Sequence, residues 1–131
     1  MTFKIKCEIY DFLIHVFYEE EVEQARQTFE NYYKCTLNHE PGSFSALTVF
    51  PSESTTRTND TLGLILGKDK GDLLFDIHHE CIHLSTYILE SCAIELSHRN
   101  DETLAYLSEY FFKSIVTKLI RKGELIVSYP K

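Results

Sequence analysis

The ten residues DIHHECIHLS, positions 76–85, decide how the second half of this chain is read. Set on a helix at about 100° per residue, Ile77, Cys81, Leu84, Ile88 and Cys92 share one side and form a core stripe. His79 and His83 project together from roughly the opposite side, one turn apart, and Glu80 sits between them and the core. Working outward, GKDKGD precedes the helix and Asp72 is a suitable N-cap, so the helix is expected to run from there to about Ile94. SHRND forms a connector. Asn100 or Asp101 then caps a second long helix, ETLAYLSEYFFKSIVTKLIRK, with Lys118, Arg121 and Lys122 favouring its C-terminus and Gly123 ending it.

Upstream of residue 70 the pattern changes to strands. FKIKCEI alternates, FLIHVFY (12–18) is β-branched and aromatic, and FSALTVF (44–50) and TLGLILG (61–67) read the same way. Between them EEVEQARQTFENYYK (20–34) repeats apolar residues at helical spacing, HEPGS breaks the chain, and PSESTTRTND is a polar loop. ELIVSY adds a short final strand. The expected order, β-β-α-β-β-α-α, makes one α+β domain over residues 1–131. It holds a small, mostly antiparallel sheet with a helix in its N-terminal half, followed by two long helices.

Composition bounds the function. The chain has 131 residues, enough for a core without staples, and a net charge of −7. That charge argues against nucleic acid or an anionic membrane as partner, because both need positive potential. No apolar run reaches the length of a membrane span, and the N-terminus lacks the pattern of a signal peptide, so a cytoplasmic protein is expected. Cys7, Cys35, Cys81 and Cys92 are widely spaced without a CxxC, and are read as reduced thiols.

Two imidazoles at i and i+4 reach one metal ion, and a glutamate beside the first is too far round to ligate. It stands instead where a general base is needed for water activated by the metal. With six His and 14 Glu, H-E-x-x-H arises by chance in roughly 3% of such compositions, so a third ligand has to decide. Position 89 is leucine, which removes the histidine of the longer metzincin pattern. The next candidate is Glu102, with 18 residues between it and His83.

An HExxH followed after 18 or 19 residues by a helical glutamate resembles the gluzincin zinc peptidases. At this length the chain is most similar to the minigluzincins and to small HExxH proteins of phages and other mobile elements. The resemblance implies a zincin-like fold, Zn²⁺ held by His79, His83 and Glu102, Glu80 as catalytic base, and a peptide or protein as substrate. It also implies an extended substrate laid along a strand near the active-site helix, for which TLGLILG is the expected strand. Thermolysin-like members carry an aspartate four residues after the ligand glutamate; here that position is Tyr106, and no large C-terminal domain supplies a substrate-clamping histidine. ETLA also fits an E-x-x-A segment of proteases that cleave repressors of mobile elements, although their Leu-Met-Pro sequence is missing. A non-catalytic binding protein stapled by the metal is the alternative from a different class.

Tyr106, one turn after Glu102, is a candidate donor to the oxygen of a tetrahedral intermediate, against the ordinary role of a core tyrosine; Tyr110 is a weaker one. Ala105 is small where the two helices should approach. Asp76 is placed to accept the second N–H of His79 or to be a surface acid. His78 reads as solvated, His98 as a distant alternative ligand, and Glu90 as too far along the helix. His15 and His39 belong to no constellation, and Cys81 lies on the core stripe.

Overall fold

The computed structural model describes residues 1–50, 60–69 and 72–125. Two strands open the chain, β1 (Thr2–Cys7) and β2 (Phe12–Glu19), followed by α1 (Val22–Tyr33), β3 (Ala46–Val49), β4 (Thr61–Gly67), α2 (Leu73–Ser91) and α3 (Asp101–Arg121). Most of the expected loop at 51–60 and the final strand at 124–129 fall outside the described residues.

The strands form one mixed sheet in the order β1-β2-β4-β3. β1 and β3 pair antiparallel with β2 and β4, while the central β2 and β4 run parallel. Helices cover both faces. Ile14, Val16, Leu62, Leu64 and Leu66 point to one side, where Ile77, Cys81, Leu84 and Ile88 of α2 and Phe111, Ile115 and Leu119 of α3 meet them. Phe17, Ile65 and Val49 point to the other, against Val22, Ala25 and Phe29 of α1. Burial on both faces explains why FLIHVFY and TLGLILG are almost continuously apolar. β1 is the contrast: Thr2, Lys4 and Lys6 are exposed and Phe3, Ile5 and Cys7 buried, the alternation of an edge strand. Its exposed lysines also discourage further strand pairing.

Gly67 ends β4 where α1 begins, and a Cβ there would stand 2.3 Å from the Val22 nitrogen, so only glycine fits. Asp72 caps α2 as expected, its carboxylate accepting from the backbone N–H groups of Leu74 and Phe75. α2 stops at Ser91, short of Ile94, because Ala93 turns into the left-handed region at φ 59° and the Ile94 N–H reaches back to the Leu89 carbonyl. Lys34 and Gly123 end the other two helices with the same reversal. Asn100 precedes α3 without a side-chain cap; its amide donates to the Glu95 carbonyl and holds the connector instead.

His15 is a buried histidine on the α1 face, 2% exposed, with its Nδ1 2.6 Å from the Tyr33 hydroxyl. Burial, with Lys4 across the strand pair adding to it, pushes the imidazole down to about 4. Burial pushes the Tyr33 hydroxyl up to about 12, so it stays protonated beside the neutral ring. The folded form therefore resists a proton that the unfolded chain accepts near pH 6.5. This contribution is intact above that pH and is lost as pH falls from about 6.5 toward about 4. Urea unfolding should show wild type losing roughly 2 kcal/mol more than His15→Phe between pH 7.5 and 4.5. Equal losses would show that the buried imidazole does not resist protonation.

Candidate metal centre

α2 owes its position to one apolar stripe, and that stripe fixes where its polar residues go. With Ile77, Cys81, Leu84 and Ile88 fully committed to the sheet, Asp76 and Glu80 fall on the flank toward β3, and His79 and His83 lie beyond them on the exposed side. The imidazoles of His79 and His83 converge, Nε2 to Nε2, at 3.1 Å, with both rings exposed to solvent. As free rings they share one hydrogen bond, one donating and the other accepting. Two nitrogens bound to a tetrahedral zinc at 2.0–2.1 Å stand about 3.3 Å apart. The pair is thus spaced for one ion.

Glu80 is buried, 7% exposed, and Thr48 Oγ1 of β3 donates to its Oε2 at 2.5 Å. One turn earlier, Ser45 Oγ donates to Asp76 Oδ1 at 3.0 Å, and Asp76 Oδ2 is buried with no partner. Two hydroxyls at the edge of the sheet thus hold two carboxylates of the helix. Neither Ser45 nor Thr48 was singled out from sequence. The signal was present in Thr48, a hydroxyl at an inward-facing position of an otherwise apolar strand, which must find a partner.

The structure does not bring Glu102 or Tyr106 to the histidine pair. α3 is phased by Leu107, Phe111, Ile115 and Leu119, which are buried. That phase turns Asp101, Ala105 and Glu109 toward α2, where they line a groove with His78 and Ile82. Glu102 is exposed in the first turn, one residue beyond Asp101. Tyr106 is 67% exposed and borders a second groove, with Tyr10 and Tyr110, beside the β1–β2 turn. Tyr110 donates to the Lys6 carbonyl at 2.6 Å. Among the described residues no group of three or more His, Cys, Asp or Glu is placed to hold a metal ion.

The remaining candidates have ordinary settings. His78 is exposed and meets the Phe112 ring edge-on. Asp76 bonds to Ser45, and His98 and Glu90 are exposed. Burial, with the Glu80 charge beside it, pushes the Cys81 thiol up to about 12, which keeps it a core thiol. No disulfide joins the four cysteines, all of which are among the described residues; Cys7 and Cys81 are buried and Cys92 is exposed.

The strand expected to receive a substrate is corrected by the topology. β4 is paired on both sides, to β2 and β3, and has no open edge. Among the described residues, the open edge beside α2 belongs to β3. The Leu13 N–H bonds to the Asp60 carbonyl, which sets the alternation across the sheet and turns the backbone groups of Ala46 and Thr48 outward. No helix of the described residues is long and apolar enough to cross a membrane. No protein-family model, no curated protein and no solved structure matches the chain.

Proposed function

We propose that this protein is a zincin-like, zinc-dependent peptidase whose site is His79, His83 and Glu80. The observation that carries the reading is the 3.1 Å convergence of the two Nε2 atoms, one turn apart on α2, with Glu80 next to His79 in the chain. Bound Zn²⁺ supplies Lewis acidity, polarising a scissile carbonyl and lowering the pKa of a water. His79 and His83 would hold the ion through Nε2. Glu80 takes the proton from the attacking water on Oε1, since Oε2 is engaged by Thr48, and delivers it to the leaving amine. Glu102 is the proposed third ligand, which requires the first turn of α3 to rearrange as metal binds. An extended peptide adds to the open edge of β3, bonding to the backbone of Ala46 and Thr48.

The second reading is a binding protein stapled by metal without catalysis. The Thr48–Glu80 hydrogen bond favours it, because it gives Glu80 a structural task. A mixed peptide library incubated with zinc-loaded protein and read by mass spectrometry separates the two. The peptidase reading expects cleavage that a chelator abolishes and zinc restores. No chelator-sensitive cleavage across the library would leave the binding protein.

A further inference from the structure

The α2–α3 groove encloses about 430 Å³ and begins one residue away from the histidine pair. His78 and Ile82 line it, and each directly precedes a proposed ligand. A step of 100° around a helix 10–12 Å across is about 9 Å of arc, the length of some three residues of extended peptide. A substrate residue within about three positions of a cut at His79 and His83 can span that distance.

Its walls have a distinct chemistry. Ile82, Leu104 and Phe112 give apolar surface, and Asp101 and Glu109 add two exposed carboxylates; among the described residues no lysine or arginine lines it. Ser108, also in the lining, has a buried Oγ with no hydrogen-bond partner among the described residues. Lys113 bonds to Glu109 at 2.6 Å, but both are exposed, a pair of the kind that solvent makes weak. An acidic side chain would meet two like charges here. A purely apolar one would leave the hydroxyl unpaired and draw water from the carboxylates. A long basic side chain suits both kinds of wall. Its methylenes lie on Ile82, Leu104 and Phe112, and its charged head donates to Asp101 or to Glu109, which stand two turns apart, about 12 Å along α3.

We infer that the groove is a subsite for a lysine or arginine side chain of the substrate, within about three residues of the scissile bond. The inference rests on the peptidase reading and supplies its substrate class. The net charge of −7 works in the same direction, drawing basic peptides toward the protein.

The test is binding of labelled peptides, identical but for lysine, norleucine or glutamate at one position, to zinc-loaded Glu80→Gln protein by fluorescence anisotropy. The lysine peptide should bind about tenfold or more tighter than the norleucine peptide, and the glutamate peptide weakest. In the same background, Asp101→Asn with Glu109→Gln should shrink the lysine advantage to about twofold, weakening the lysine peptide and easing the desolvation that opposes norleucine. Each single variant, carrying one surface amide, serves as a check on folding. Equal binding of lysine and norleucine, a lysine advantage that survives the double variant, or no binding at all overturns the subsite. Incubating wild type with the same peptides tests the other link. Lysine-selective binding without cleavage would sink the peptidase and leave the subsite. Cleavage indifferent to lysine would do the reverse.

Discussion

Glu80→Gln should give a folded protein that keeps its zinc and no longer cuts peptides. Glutamine retains an oxygen that accepts the Thr48 hydroxyl and fills the same buried space, so the contact between β3 and α2 survives. What is lost is a group able to take a proton from water. A general base contributes about 10²–10⁴-fold, so any assay that detects the wild type should register the change. Three readouts are needed together: zinc content, melting temperature and cleavage rate. Cleavage within about tenfold of wild type would remove Glu80 from the chemistry. A large drop in melting temperature with zinc retained would instead identify Glu80 as a strut between sheet and helix.

The second large effect concerns the ion. Wild type should hold about one Zn²⁺ per chain, and His79→Ala or His83→Ala should lose it, because neither ring alone offers the two converging nitrogens. Both rings are exposed, so the variants should melt close to the metal-free wild type. Free zinc at 100 times its dissociation constant should stabilise the wild type by about 2.7 kcal/mol and the variants by nothing. Zinc retained at one per chain by the double variant would eliminate the site. Glu102→Gln then separates two coordination sets. A loss comparable to that of a histidine variant means that α3 rearranges to supply a third ligand. Unchanged affinity means that the histidines hold the ion without Glu102.

Much of this was legible in the sequence. The helical stripe of α2 was set by Ile77, Cys81, Leu84 and Ile88, and the same four residues dictate where His79 and His83 emerge. Asp72 was visible as a cap because its side chain acts locally. The order of strands in the sheet was harder to see. β4 follows β3 in the chain yet inserts between β3 and β2, and its parallel pairing with β2 depends on long-range packing of helices on both faces. The continuous apolar character of TLGLILG already argued for a central strand, which is why its use as an open edge does not hold. The end of α2 was overshot because alanine, not glycine, takes the left-handed turn at position 93.

Glu102 shows how spacing differs from placement. Eighteen intervening residues are enough to bring a second helix alongside the first, but they do not fix its rotation. The buried run Leu107, Phe111, Ile115 and Leu119 does, and it presents Asp101 and Glu109 to α2.

The bond from Tyr110 to the Lys6 carbonyl joins residues 104 apart in sequence. Phe3, Ile5 and Cys7 likewise share a core with Phe111, Ile115 and Leu119. During synthesis the first strand therefore leaves the ribosome long before the helix that covers it exists. Until that helix arrives, the apolar side of β1 has no lid, and the nascent domain resembles an open book with its first page loose. Completion waits on nearly the whole chain, and contacts of such sequence separation are slow to form. A stop codon anywhere within α3 should consequently unsettle the opposite end of the chain first.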